Sequence, residues 1–258
     1  MTGFRPHVRR TPARDRTSGP PVRFPPGLAT VKARERRGQE KAITGNRLTS
    51  WAFAEAYGSP DAESPEGQAL RWAQERSVEG GVRPVSPGAG DTLRLLAAAC
   101  GARAVVEIGT GTGVSGIHLL QGMRPDGVLT TVDIEPERLQ FARQAFRAAG
   151  FAANRARFIP GHALDVLPRL TDGGYDLVFC DADRLEYLAY LAESLRLLRP
   201  GGLVVFAGVF AGGRTVGSGP QPTEVLKLRE LLRAVRESDA LMPALLPAGD
   251  GLLCAARR

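Results

Sequence analysis

The stretch AVVEIGTGTGVS, from Ala104 to Ser115, joins a short apolar run to three closely spaced glycines, Gly109, Gly111 and Gly113. A helical pattern begins at Val114, so strand, tight turn and helix are expected in that order. Glycine has no Cβ, so it adopts positive φ and lets backbone N–H groups come close to a ligand. At a helix N-terminus those groups and the helix dipole favour an anion. A carboxylated or phosphorylated ligand is expected at this turn.

The run from Gly111 to Gly116 also satisfies the G-x-G-x-x-G fingerprint of nicotinamide enzymes. Two acids favour a different ligand. Glu107 lies two residues before the first glycine and offers a carboxylate to a cationic group, while Asp133 ends the next apolar run, VLTTVD, and suits a pair of ribose hydroxyls. An amino acid joined to a nucleoside has both needs. The arrangement resembles motif I and the following acidic strand end of class I S-adenosylmethionine-dependent methyltransferases.

Outward from this stretch, strands and helices alternate. Helices are expected over Thr49–Tyr57, from Ser64-Pro65 onward and over Asp91–Cys100, with Val82–Gly88 as a loop. The first two would cover the main domain or a dimer partner, with Trp51 and Tyr57 as packing residues. After the glycine turn come a helix to Met123, a strand Val128–Ile134, a helix 136–149 with Leu139, Ala142, Ala145 and Phe146 in one stripe, and a short strand Arg157–Ile159. A turn and short helix follow at Gly161–Leu167. A fourth strand, Tyr175–Asp181, leads to helix 184–198, and a fifth strand, Leu203–Phe206, leads to a Gly-rich loop at 208–222 expected to be mobile. Helix Thr223–Val235 and a hairpin turning at Gly249–Gly251 close the chain. Such alternation implies a parallel sheet with right-handed crossovers and ligands at the carboxyl ends of the strands. Glu107, Asp133, the Gly161 turn and Asp181 all fall at such ends.

Of the 34 basic residues 12 precede residue 48, together with 3 of the 27 acidic ones. The whole positive excess therefore lies in that segment, and the remainder carries about −2. Residues 1–38, rich in Pro, Arg and Gly, are expected to be a disordered tail, 39–90 a set of N-terminal helices with a loop, and 91–258 the ligand-binding domain. A folded part with no basic excess argues against a nucleic-acid partner. No apolar run approaches the ~20 residues that span a bilayer, so a cytoplasmic protein without a membrane partner is expected. Cys100, Cys180 and Cys254 have neither zinc nor disulfide spacing and read as buried thiols.

The segments EIGTGTGVS, TTVDIEPE, YDLVFCDAD, LLRPGGLVV and LLPAGDGLL, in this order, resemble the small-molecule O-methyltransferases that include caffeoyl-CoA and catechol O-methyltransferases, especially the bacterial members. The resemblance covers about residues 48–258. It implies a Rossmann-like α/β fold, a seven-stranded sheet with an antiparallel last strand and helices on both faces, and commonly a homodimer. By the same resemblance Glu107, Gly109, Thr110, Gly111 and Ser115 would hold the methionine part of the methyl donor, with the backbone at Val85 near its carboxylate. Asp133 would take the ribose, Ile134 and Ala163 would lie against the adenosine, and Asp181 and Asp183 would approach the amino group and the far side of the pocket.

Metal-dependent members pair the first acid after strand four with an Asp-Asn pair after strand five. Here Asp181 stands at the first position and Ala207-Gly208 at the pair, and no Asp, Asn, Glu or His lies between Glu193 and Glu224. A hard cation wants several oxygen ligands, so no tightly bound metal is expected. The lysine base of many relatives is replaced by Arg184, which does not accept a proton at neutral pH. That leaves Asp181 as the candidate base; His118 reads as structural and His162 as remote from the methyl group. The expected activity is methyl transfer from S-adenosylmethionine to a small hydroxylated molecule. A catalytically weak S-adenosylmethionine-binding protein, a nucleic-acid methyltransferase and an NAD-dependent oxidoreductase remain as alternatives.

Overall fold

The computed structural model describes residues 48–258. The expected basic tail and the first part of the 39–90 segment lie outside them. After a helical stretch over residues 50–56 the chain forms α1 (Pro65–Glu79), α2 (Pro87–Ala99), β1 (Ala104–Ile108), α3 (Val114–Gly122), β2 (Val128–Asp133) and α4 (Pro136–Ala148). It continues through β3 (Ala156–Pro160), α5 (Ala163–Val166), β4 (Tyr175–Cys180), α6 (Tyr187–Leu197), β5 (Leu198–Ala207), α7 (Thr223–Glu237), β6 (Leu241–Leu246) and β7 (Leu252–Arg257).

The seven strands form one sheet in the order β3-β2-β1-β4-β5-β7-β6. The first five pair in parallel and β7 runs antiparallel to β5, with the β6–β7 hairpin closing the edge. Strand order reverses between β1 and β4, and it is outside the carboxyl ends of strands at such a reversal that open α/β sheets bind ligands. Both central strands are covered on two faces. Val105 and Phe179 pack with Leu93, Ile117 and Phe146 on one side, while Val106 and Val178 pack with Tyr187, Leu191 and Leu228 on the other. Each such side chain contributes roughly 1.5–3 kcal/mol by burial, which makes the β1 and β4 ends a rigid platform.

Capping explains the helix starts. Ser64 accepts from Gly67 N with Pro65 at the first helical position, and Ser86 likewise accepts from Ala89 N with Pro87 following it. The second cap corrects the sequence reading: α2 begins at Pro87, four residues before Asp91, because Ser86-Pro87 is a helix start rather than the end of a loop. Position 90, expected as a domain edge, therefore falls within α2. β5 begins at Leu198 instead of Leu203, since Leu198 pairs with Tyr175 before an irregularity in register. Phe53 and Tyr57 are exposed rather than packed, and Trp51 is only partly covered. Cys180 and Cys254 are buried, Cys100 partly so. Within the 208–222 loop Thr215 donates to Val209 O, and Arg229 donates to the carbonyls of Thr215, Arg214 and Gly217.

Candidate active site

β1 delivers the chain into Gly109, whose φ of +92° brings its backbone against the end of β4; a Cβ there would run into the Asp181 carbonyl. Gly113, at φ +97°, is the N-cap of α3, and a Cβ on it would meet Phe146 at 2.9 Å and Ala142 Cα at 3.0 Å. The two glycines thus fold the turn flat between strand and helix, and the N-terminus of α3 opens onto a cavity of about 470 Å³.

That cavity collects most of the residues singled out from the sequence. The turn contributes Gly109, Thr110, Gly111 and Ser115, and the loop before α2 contributes Val85. Asp133 and Ile134 come from the end of β2, Ala163 from the turn after β3, and Asp181 and Asp183 from the end of β4. Glu107 does not line it. Its carboxylate is fully buried behind the turn, where it accepts from Ser115 Oγ at 2.6 Å and Thr131 Oγ1 at 2.5 Å, with Thr131 also 2.6 Å from Thr110 Oγ1. Burial pushes the Glu107 carboxyl up to about 7 despite the two hydroxyl donors.

Asp133 is held rigidly, its two oxygens accepting from Gly111 N at 2.8 Å and Glu135 N at 3.0 Å. Arg138, in the first turn of α4, lies 3.8 Å from it. At the opposite wall His162 stands 3.0 Å from Glu186, which also accepts from Tyr190 at 2.6 Å. Arg83, Arg138, His162, Glu186 and Tyr190 all line the cavity although the sequence did not single them out as ligand-binding. Glu186 ends the 3-10 turn Arg184–Glu186 and is the N-cap residue of α6, and Tyr190 follows it four residues later in the first turn of that helix.

Burial pushes the Asp181 carboxyl up to about 6, with the Arg184 guanidinium pulling the other way. Asp181 also borders a second space of about 120 Å³, walled by Pro84, Val85, Ala89, Gly208, Ala248 and Leu252, with Arg83, Ser86, Arg184 and Asp250 as its other polar groups. Tyr187 fixes this junction. Its hydroxyl lies 3.3 Å from Cys180 O and 3.1 Å from Ala207 O, so it ties together the residues that precede Asp181 and Gly208. A divalent cation does not fit beside Asp181. Gly208 offers no side chain, and the space its Cβ would enter is filled by the Arg184 guanidinium, a charge that repels a cation. Among the described residues no cluster of three or more His, Cys, Asp or Glu is placed to hold a metal.

His118 lies away from the cavity, buried against Gly90, and burial lowers its pKa to about 4. It is neutral at physiological pH and packs between α2 and α3.

Residues 68–258 match the family model described as O-methyltransferase. A protein of Mycobacterium tuberculosis named as a probable O-methyltransferase is 48% identical over 220 residues, covering 85% of this chain and 95% of that one. Among solved structures, the Streptomyces achromogenes O-methyltransferase TomG in complex with SAM superposes with a TM-score of 0.71 at 28% identity, over 81% of this chain and 96% of that one. An O-methyltransferase from Bacillus cereus in complex with SAH gives 0.71 at 25% identity, over 82% of this chain and all of that one. With three quarters of its length inside the family match and the strand-end crevice intact, the chain belongs to the O-methyltransferase family.

Proposed function

We propose that the 470 Å³ cavity binds S-adenosylmethionine and that the enzyme methylates a small hydroxylated molecule seated in the adjoining 120 Å³ space. One observation carries this reading: Asp133, the glycine turn and Asp181 line a single cavity in that order, as a ribose, an amino acid and a reacting centre require. S-adenosylmethionine, when bound, supplies an electrophilic methyl group. Asp133 is preset by its two backbone donors to accept from ribose hydroxyls, and Ile134 and Ala163 offer apolar faces to the adenosine. The α3 N-terminus and the Val85 backbone suit the carboxylate of the methionine part. Asp181 and Asp183 suit its ammonium and far side. Glu107 acts behind the wall, orienting Ser115 and Thr131.

Asp181 is the candidate base, because its raised carboxyl holds a proton at mildly acidic pH and still accepts one at neutrality. Methyl transfer otherwise needs chiefly in-line positioning. The poor fit of a cation beside Asp181 supports catalysis without a tightly bound metal. Phe53 and Tyr57, exposed with ring centroids 5.7 Å apart, support a homodimer in which a second copy covers them. No helix among the described residues is long and apolar enough to cross a membrane, which fits a cytoplasmic enzyme.

Calorimetric titration of S-adenosylmethionine into EDTA-treated protein, repeated with Mg²⁺ and with NAD, tests the reading. Micromolar, metal-indifferent binding of S-adenosylmethionine and none of NAD is expected. Preference for NAD would overturn the methyl-donor pocket, and binding only with Mg²⁺ would overturn the metal-free site.

A further inference from the structure

The 120 Å³ space is on the scale of the roughly 150 Å³ cavities that hold a single benzene ring. Its walls are small and mostly apolar, and two arginines reach it: Arg83 from an exposed position at the rim, and Arg184, whose guanidinium is folded over the bare backbone of Gly208 at the junction with Asp181. Two acids hold it there. Nη1 donates to Glu224 at 2.7 Å, and Nη2 faces Asp250 at 3.8 Å, beyond hydrogen-bond distance. Gly212 N, donating to Asp250 Oδ1 at 2.8 Å, holds that carboxylate in place with its other oxygen, Oδ2, toward the guanidinium. Glu224 anchors Arg184 directly, Asp250 and the Tyr187 hydroxyl lie beside it, and with five N–H donors the guanidinium keeps hydrogen-bonding capacity at the junction with Asp181.

Building on the methyl-donor reading, we propose that the Arg184 guanidinium receives the ionising oxygen of the acceptor, serving as the enzyme's own cation, and that the acceptor is a phenol methylated at a single hydroxyl. Any side chain at position 208 would evict the guanidinium, so the glycine and the arginine form one device. A guanidinium stabilises an oxyanion through directed hydrogen bonds and does not need a second adjacent oxygen to chelate. Its charge is shared with Glu224 and Asp250, which limits how far it lowers the pKa of the acceptor. A phenol, at about 10, is within reach of that help, whereas an aliphatic alcohol is not. In the transfer the O–H proton passes to the Asp181 carboxylate and an oxygen lone pair forms the new O–CH₃ bond. The electrons of the broken S–CH₃ bond stay on sulfur as a neutral thioether.

The test uses para-nitrophenol as probe with S-adenosylhomocysteine bound, and follows ionisation of the bound phenol by absorbance across pH. In the wild type the bound probe should ionise with a constant about tenfold or more above that of the free probe, unchanged by EDTA. Arg184→Gln should lose this gain and Arg184→Lys should keep part of it, both binding S-adenosylhomocysteine with unaltered affinity, which certifies their folding. Equal ionisation in wild type and Arg184→Gln, a gain that needs Mg²⁺, or failure of the wild type to bind the probe would overturn the proposal. Failure to bind S-adenosylhomocysteine at all would instead bring down the methyl-donor reading on which it rests.

Discussion

Ser115 Oγ, in the first turn of α3, donates to Glu107 Oε1 at 2.6 Å, so a helix start and the middle of the sheet are locked through a carboxylate that no solvent reaches. Its raised pKa has a definite sign for stability. The folded state holds the Glu107 proton up to about pH 7, against an ordinary 4.5, so it binds more protons than the unfolded chain between these values. Stability contributed by the protonated form is complete below about 4.5 and is lost as pH rises through 7. A shift of this size corresponds to at most about 3 kcal/mol. Glu107→Gln should therefore flatten the fall in Tm of the ligand-free protein between pH 5 and 7, measured by thermal scans across that window. An equally steep fall in the variant would show that the carboxylate is not responsible.

Gly109 governs the approach of β1 to β4. Its φ of +92° strains any other residue, and a Cβ would also collide with the Asp181 carbonyl. Gly109→Ala should lose at least roughly 1–3 kcal/mol from backbone strain alone, and more from the displaced β4 end. Urea unfolding measures that loss. Calorimetry should show S-adenosylmethionine affinity falling more than tenfold, since Asp181 and the turn move together.

The fold was legible because the core positions are local patterns. β1, β2 and β4 are short apolar runs that end in glycine or acid, and each end maps onto the cavity. Three parts were not legible, one for a local reason and two because they depend on distant partners. Ser86-Pro87 reads equally as a loop or a capped helix start until the packing of Leu93 and Ala97 decides it. Glu107 has the sequence position of a ligand-facing acid, but its rotamer is set by Ser115 and Thr131, partners 8 and 24 residues away whose convergence only the sheet register creates. The Arg184–Gly208 pairing is equally non-local: the lost metal ligands are visible in the sequence, whereas the guanidinium that fills their place is not.

Asp181 stands where methyl-donor binding and chemistry meet, at the border of both cavities. With its carboxyl pushed up to about 6, the proton-accepting form accumulates as pH rises through 6, so the methylation rate should climb over that limb and level off above it. Asp181→Asn removes the acceptor of the proton while keeping the side chain's shape. The rate constant at saturating methyl donor should drop about 10²–10⁴-fold and the pH limb should vanish. A rate that is unaffected by Asp181→Asn would assign the base elsewhere.

Glu55 fastens the N-terminal helical stretch to the acceptor side of the site. Its carboxylate accepts from Ser86 Oγ at 2.6 Å and Gly88 N at 3.0 Å at the start of α2, and from Gly249 N at 2.7 Å in the β6–β7 turn. Partial burial works against the charge, yet these donors together hold the carboxyl below its ordinary 4.5. A lowered folded pKa means that the stabilisation is present above 4.5 and lost as pH falls through the folded value. Glu55→Ala should leave those donors without their carboxylate partner and free residues 50–57, at about 1–3 kcal/mol of local stability. Hydrogen exchange should then speed up in 50–57 and at Gly88 and Gly249, while the amides of β1 and β4 keep their protection. Exchange that accelerates throughout the sheet would mean that Glu55 supports the whole fold, and unchanged exchange at Gly249 would mean that the clasp does not form.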